Sequence, residues 1–214
     1  MGIIERKALA FAQREETILN AARQLFTPSN WQTVTIDQIA EKAEIGKGTV
    51  YKHFKSKDEV YSQMVLAFLE TLSARAETIP DDLDVLEKIK GFARGYWQAY
   101  LENPLMLEMM LYCDHQFVQE NLSEEFTGQF VCMDNSLQNF VTGLIEEAVR
   151  QGKLEDRGAS SMMIQGWGTL VGGLQLTFHF KGNGVFQTLD PEEMLESLID
   201  FILRGWGVIE SPEV

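Results

Sequence analysis

Residues 33–57 read TVTIDQIAEKAEIGKGTVYKHFKSK, and this stretch decides the fold. Thr35 followed three residues later by Gln38 is the capping-box signature of a helix start, and Ser56 followed by Glu59 repeats the signature. Between these two starts, the spacing of the apolar residues predicts two short helices joined by a tight turn. Such a pair is a helix-turn-helix, whose second helix can enter the major groove of DNA.

The second of these helices and its flanks carry groups that DNA attracts. Contacts to the DNA backbone come from cations, hydroxyls and helix N-termini, whereas contacts to base edges provide sequence specificity. We expect Lys47 to reach a base edge, with guanine as its partner, and Gly48 to let the backbone approach closely. The alternative is an ordinary amphipathic helix pair with surface lysines. The residues expected to hold phosphates are Thr35, Thr49, Tyr51, Lys52, His53 and Lys57.

At these residues the chain resembles the TetR family of transcriptional regulators. The resemblance is carried by VTI at 34–36, IA at 39–40 and IGKGTVYKHFKSK at 45–57. Gly46 departs from the family pattern, where Ser or another capping residue is more frequent. The resemblance implies a three-helix DNA-binding head on a larger helical body that binds an effector and dimerises. It also implies a homodimer on a palindromic operator of double-stranded DNA.

Charge divides the chain into two parts. The whole sequence of 214 residues carries a net charge of −14, but residues 1–57 carry +3 and the remainder carries −17. This asymmetry favours an encounter with a polyanion in which the basic head leads. The two cysteines, Cys113 and Cys132, form no metal-type pair, and the first residues have no signal-peptide pattern. We therefore expect a cytoplasmic protein without a metal or cofactor.

Helical periodicity continues through the rest of the chain, and no β-strand pattern competes with it. The sequence predicts an all-α protein of about nine helices, with a head at residues 1–56 and a body at residues 57–214. Residues 158–180 contain no Asp, Glu, Lys or Arg, so their length alone would permit a membrane span. Their Ser, Gln, Gly and Thr content favours a helix buried on all sides, and no membrane association is expected.

The body suggests two further surfaces. Its aromatic and Met content is typical of adaptable binding surfaces, although ordinary core is the competing interpretation. An apolar pocket for a small hydrophobic or aromatic effector follows from the resemblance. Its expected residues are Phe68, Trp97, Tyr100, Met106, Met109, Met110, Tyr112, Phe126, Phe130, Met133 and Trp167. The resemblance also implies that the last two long helices form the dimer interface, here through Gly166, Thr169, Gly173, Leu195, Leu198 and Ile202.

The sequence therefore predicts a homodimeric DNA-binding regulator, a repressor released by its effector. One alternative is an architectural or partner-regulated protein of the same fold that has no small-molecule effector. A second alternative is an enzyme. The chain offers three histidines, no nucleophile motif and no phosphate-binding glycine loop, so we expect that it is not an enzyme.

Overall fold

A computed structural model of the chain describes residues 2–113, 122, 124–179 and 190–209. Within these ranges the chain forms nine α-helices, and its one β-type pairing there is an isolated bridge between Leu154 and Val208. The predicted all-α fold is confirmed. The helices are α1 (Ile3–Leu25), α2 (Ile36–Lys42), α3 (Lys47–His53), α4 (Lys57–Glu77), α5 (Val85–Glu102), α6 (Pro104–Cys113), α7 (Glu124–Arg150), α8 (Ala159–His179) and α9 (Pro191–Gly205).

Backbone contacts divide the chain into two compact units. The head unit consists of Met1–Ala67 with Glu108–Phe130, and the body unit consists of Phe68–Leu107 with Val131–Val214. The head unit thus includes the first half of α4 and the end of α6 in addition to the helix-turn-helix. The functional boundary between residues 56 and 57 stays a prediction.

The first helix of the head unit is longer than its apolar pattern indicates. The sequence predicts a helix from Arg14 and leaves open whether the preceding residues extend it. In the structure α1 begins at Ile3, because Gly2 and Glu5 form a capping pair in which the Gly2 N–H donates to Glu5 Oε2 over 2.7 Å. Only the second half of α1 is buried, at Ile18 and its neighbours. The residues of the first three turns are exposed, and among them Phe11 contacts the His53 ring.

Local capping places α2 and α4 where the sequence predicts them. The Gln38 N–H donates to the Thr35 hydroxyl over 3.3 Å, and the Thr35 N–H donates to Gln38 Oε1 over 2.8 Å. At the start of α4 the Glu59 N–H donates to the Ser56 hydroxyl over 3.2 Å, while Glu59 Oε2 accepts from the Lys55 N–H over 2.6 Å. The capping box of α2 and the Ser56 cap of α4 fix the ends of the segment that contains α3. The predicted box at α4 differs in one bond, because Glu59 accepts from the Lys55 N–H and not from the N–H of Ser56 itself.

In the body unit, α5, α8 and α9 pack against one another. Helix α9 begins with the predicted cap: Asp190 accepts from the N–H groups of Glu192 and Glu193 over 2.8 and 3.0 Å, and Pro191 occupies the first helical position. No helix of the described chain is both long enough and apolar enough to cross a membrane.

The interpretation of the uncharged segment as a helix buried on all sides is wrong. In α8 the side of Met162, Leu170 and Leu174 is buried, but Ile164 is 59% exposed and Trp167 is 41% exposed. The segment lacks charge because α8 has two apolar faces, and one of these faces is exposed to solvent in the single chain.

Candidate nucleic-acid interface

Helix α3 turns one face inward and one face outward. Val50 and Phe54 are 0% and 1% exposed and attach the helix to the head unit. The opposite face presents Lys47, Gly48, Tyr51 and Lys52 to solvent, and Thr49 is partly exposed beside them. A Cβ built on Gly48 would meet no heavy atom of the described residues within 4 Å, so the helix surface at that point is open. Five of the eight residues predicted to bind DNA thus lie together on an accessible helix face.

The turn before α3 is held by the backbone. The Ile45 N–H donates to the Ala40 carbonyl over 3.0 Å, and Glu44 adopts a left-handed conformation with a φ of 54°. Gly46 is the N-cap of α3 and makes no side-chain capping bond. The start of α3 is therefore fixed by the turn and by the Gly46 carbonyl, which accepts from the Thr49 N–H over 2.8 Å.

Lys47 does not project freely into solvent. Its Nζ donates to Asp37 Oδ2 over 2.8 Å, and this hydrogen bond, together with the charge of Asp37, raises the pKa of Lys47. Both side chains are more than half exposed. The interaction ties the first residue of α3 to the first turn of α2, ten residues earlier in the chain.

Lys57 also has internal partners. Its Nζ donates to the carbonyls of Gln32 and Val34 over 2.6 and 3.1 Å, and it lies 5.5 Å from the centre of the Tyr61 ring. Burial lowers the pKa of Lys57. An ammonium group has three N–H donors, and two of them hold the loop before α2. Its predicted contact with phosphate would have to use the third.

Thr35 and His53 are similarly engaged within the protein. The Thr35 hydroxyl accepts the capping bond of α2. The His53 side chain is only 7% exposed, and its ring centre lies 4.0 Å from that of Phe11. His53 Nδ1 is 3.5 Å from Glu15 Oε1 and makes no hydrogen bond within the described part of the chain. The inward position of His53 gives its predicted phosphate contact no geometric support.

An aromatic cluster in the head unit was not anticipated by the sequence patterns. The Trp31 indole N–H donates to Glu108 Oε2 over 3.0 Å, and the Tyr61 hydroxyl donates to the Trp31 carbonyl over 2.7 Å. The Tyr112 hydroxyl donates to Asp58 Oδ1 over 3.0 Å. Burial, with the Asp58 carboxylate nearby, raises the pKa of Tyr112 to about 12. These bonds join the end of α6 to α4 and to the loop before α2.

The residues expected to form the effector pocket fall in both units. In the head unit, Met109, Met110 and Phe130 are buried, and Tyr112 and Phe126 are partly exposed. In the body unit the buried members are Phe68, Trp97 and Tyr100, the partly exposed ones are Met106 and Met133, and Trp167 is exposed. The ring centres of Phe68 and Tyr100 lie 4.7 Å apart, and the Trp167 indole N–H donates to the Tyr96 hydroxyl over 3.1 Å. The pocket itself stays a prediction.

The glycines assigned to the dimer interface have a different neighbour. A Cβ on Gly166 would lie 2.7 Å from Trp206, and a Cβ on Gly173 would collide with Leu198 and lie 3.1 Å from Trp97. Both glycines therefore permit α8 to be approached closely by parts of the same chain, as expected for a strip where another helix can approach, and their assignment to the dimer interface stays a prediction. Leu195 and Ile202 are 6% and 8% exposed, so they too are buried within the chain. Of the predicted set only Thr169 and Leu198 are partly exposed.

Comparison with known proteins identifies the N-terminal part of the chain. Residues 18–64 match the family model described as "Bacterial regulatory proteins, tetR family". This span contains the capping box of α2, the Ser56 cap of α4 and the whole of α2 and α3. Residues 18–64 thus carry the N-terminal segment of the tetR family of bacterial regulatory proteins. The named relatives and structural neighbours are transcriptional regulators and not enzymes, which agrees with the expectation that the chain is not an enzyme.

Relatives with curated names match this chain only in part. The uncharacterized HTH-type transcriptional regulator YhgD of Bacillus subtilis is 34% identical over 30% of this chain and 34% of its own length. The HTH-type transcriptional repressor KstR2 of Mycolicibacterium smegmatis is 32% identical over 41% of this chain and 43% of its own length. The chain thus spans between about a third and under half of the length of these relatives.

Solved structures resemble the fold over a larger part of the chain. PfmR, a TetR family transcriptional regulator from Thermus thermophilus, aligns with a TM-score of 0.68 and 22% identity, covering 90% of this chain and 99% of its own. The ketosteroid transcriptional regulator KstR2 of Mycobacterium tuberculosis aligns with a TM-score of 0.67 and 17% identity, covering 93% of this chain and 96% of its own. At these identities the likeness shows that the TetR family fold extends through the body.

Proposed function

We propose that this TetR family chain is a homodimeric, sequence-specific DNA-binding regulator of the cytoplasm, a repressor that a small apolar effector releases from its operator. The observation that carries the proposal is the exposed face of α3, with Lys47, Gly48, Tyr51 and Lys52 presented between two capped helices. A short helix held in this way can lie in the major groove, with its N-terminal residues at the base edges.

Charge supports the orientation of the complex. The head segment 1–57 carries +3 and the remainder carries −17, so a polyanion attracts the first and repels the second. The observed ion pair of Lys47 and the internal bonds of Lys57 mean that the net attraction relies on the other basic residues, of which Lys52 and Lys55 are exposed next to the interface.

A symmetric pair is proposed through the open faces of α8 and α9. On α8 the exposed Ile164 is followed four residues later by Gly168, where a Cβ would meet no described heavy atom within 4 Å. On α9 Phe201 is 68% exposed. Large apolar residues on two packed helices, next to a glycine that allows close approach, suit a four-helix interface with the same two helices of a second copy. This set replaces the buried glycines and leucine of the sequence-based interface.

An apolar effector is supported by the composition of the interior. Phe68, Tyr100 and Trp97 are all less than 10% exposed in the body unit, as are Met109 and Met110 in the head unit. The Mycobacterium tuberculosis neighbour is a ketosteroid transcriptional regulator, and ketosteroids are apolar molecules. Because coupling between two sites is reciprocal, an effector that weakens DNA binding must itself bind more weakly, by the same factor, to the DNA-bound dimer.

The DNA-binding part of the proposal is tested by selecting duplexes from a random library with the purified full chain at low ionic strength. We expect a selected sequence with twofold symmetry, whose half-site centres are about 34–36 Å apart or a multiple of that distance. Its affinity should exceed that for a scrambled duplex at least about a thousandfold. Equal affinity for every duplex would contradict sequence-specific regulation.

The effector part is tested separately. Apolar compounds that raise the melting temperature of the full chain are added to the complex with the selected duplex, and release of DNA is measured by fluorescence anisotropy. We expect at least one stabilising compound to weaken DNA binding and to bind the complex more weakly by an equal factor. Stabilising compounds that leave DNA binding unchanged would favour the alternative without a small-molecule effector.

A further inference from the structure

An exposed ion pair lies at the start of α3, the helix proposed to bind DNA, and the match to the tetR family does not account for it. Asp37 is in the first turn of α2, and Lys47 is the first residue of α3. Asp37 Oδ2 and Lys47 Nζ are 2.8 Å apart, and their side chains are 62% and 51% exposed. The pair therefore lies on the protein surface beside the outward face of α3.

The positions of the two residues explain why the pair forms. The N-terminus of a helix carries partial positive charge, which favours a nearby carboxylate and disfavours a nearby ammonium. Asp37 thus suits its place in α2, whereas Lys47 is placed unfavourably at the start of α3. The tight turn, with its bond from the Ile45 N–H to the Ala40 carbonyl, brings the two helix starts together. The Asp37 carboxylate stabilises the Lys47 ammonium, which the positive end of α3 disfavours.

Hydrogen bonding leaves this lysine suited to one kind of DNA group. An ammonium has three donors, and Asp37 takes one, so two remain for the O6 and N7 acceptors of a guanine. These acceptors are uncharged and can bind Lys47 while Asp37 stays in place. A phosphate, in contrast, would bring a negative charge next to the Asp37 carboxylate, and the two anions would repel each other.

We propose that Asp37 is a specificity-determining residue of the DNA interface, which holds Lys47 available to base edges and withholds it from phosphates. The inference rests on the proposed function, because it presupposes that the outward face of α3 binds duplex DNA. It implies that Lys47 adds to the preference for the operator but little to binding of unrelated DNA.

The experiment compares Asp37→Asn with Glu41→Gln, a matched removal of one negative charge from an exposed acid one turn further along α2. Binding of the full chain to the selected duplex and to a scrambled duplex is measured across a range of salt concentrations. We expect Asp37→Asn to strengthen binding to the scrambled duplex about fivefold and to steepen its salt dependence by about 0.9, the value for one further phosphate contact. The ratio of specific to non-specific affinity should fall at least about threefold.

Glu41→Gln should change both affinities by a common factor and leave their ratio unaltered. Adding Lys47→Ala to each variant completes the cycle: without the ammonium, Asp37→Asn should behave as Glu41→Gln does. An unchanged affinity ratio in Asp37→Asn, or the same change in both acid variants, would overturn the inference while leaving the proposed function intact.

A second measurement does not depend on the Asp37 variant folding. With Asp37 present, Lys47→Ala should leave the salt dependence of scrambled-duplex binding within about 0.3 of its original slope, because no phosphate contact is lost. A decrease of about 0.9 would show that Lys47 binds phosphate in spite of Asp37, and the inference would fail. If the unmodified chain prefers no duplex at all, the proposed function falls together with the inference.

Discussion

The α2–α3 segment of the head and the α8–α9 pair of the body are both helix pairs, but they are specified in different ways. The head pair is defined by local bonds, such as the capping exchange between Thr35 and Gln38. The body pair is defined by the fit between distant surfaces, such as the contact of Gly166 with Trp206, forty residues further along the chain. In the head, the residue types of a short segment therefore predict its structure directly. In the body, the role of a residue depends on which distant helix packs against it.

The largest effect on dimerisation and DNA binding is expected from a substitution on the exposed face of α9. Replacement of Phe201 by Glu should place a charge in the proposed interface and convert the dimer into a monomer, because an unpaired charge is costly to bury. Loss of the dimer should weaken operator binding about a hundredfold or more, since only one half-site is then held at a time. Light scattering after size-exclusion chromatography gives the mass, and anisotropy gives the affinity.

Leu83→Glu is the matched control for Phe201→Glu, because Leu83 is also an exposed apolar residue, 42% accessible, but precedes α5. It should leave the dimer intact. If the Phe201→Glu protein keeps the mass of a dimer, the exposed face of α9 is not part of the interface. The distinction between a buried side of the α8–α9 pair and an exposed side that forms the dimer would then be wrong.

The packing of α8 against the residues around Trp206 is tested by a glycine substitution. In Gly166→Ala the new Cβ would lie 2.7 Å from the Trp206 ring, so the ring or the helix must move. Overpacking of this kind should lower the free energy of unfolding by about 1–3 kcal/mol, measured by urea denaturation. Gly143→Ala in α7 is the control, since its Cβ would meet no described heavy atom within 4 Å, and it should stabilise by up to about 1 kcal/mol.

If Gly166→Ala were as harmless as Gly143→Ala, close packing of α8 on α9 would not be the reason for the glycine. The original interpretation of Gly166 as part of an interface with a second copy would then regain support. The assay is therefore run at two protein concentrations, since a dimer effect depends on concentration and a packing effect within one chain does not.

These cases show what the sequence could and could not predict. The prediction placed three helix starts that depend on neighbours in sequence: the capping box of α2, the Ser56 cap of α4 and the Asp190–Pro191 start of α9. The partners of Lys57 and Gly166 come from residues 23 or more positions away, so no local pattern reveals them. The sequence could show that α8 was apolar but not which of its faces another helix covers.

In the head, substitutions of two lysines should have different effects on stability and on DNA binding. Lys57→Met should lower the free energy of unfolding by about 1–2 kcal/mol, because the carbonyls of Gln32 and Val34 lose their charged donor. Lys52→Met, at an exposed position of α3, should leave stability within about 0.5 kcal/mol. It should instead reduce the salt dependence of DNA binding by about 0.9.

Urea denaturation and anisotropy titrations at several salt concentrations separate the two effects. If Lys57→Met reduces the salt slope as Lys52→Met does and leaves stability unchanged, Lys57 is a phosphate contact, as the sequence predicted. Its bonds to the loop would then be replaced by DNA in the complex.

The smallest effect concerns the cap that α3 lacks. Gly46 is the N-cap of this helix, has a φ of −71°, and has open space where a Cβ would stand. Gly46→Ser should therefore add a capping bond without strain and stabilise the head by a few tenths of a kcal/mol, roughly the difference between Gly and Ser at such a position. Differential denaturation of the two proteins side by side can resolve a change of this size. If Gly46→Ser is destabilised, the turn determines where α3 begins, and a capping hydroxyl does not. Even in the head, the effect of a residue would then depend on its distant neighbours.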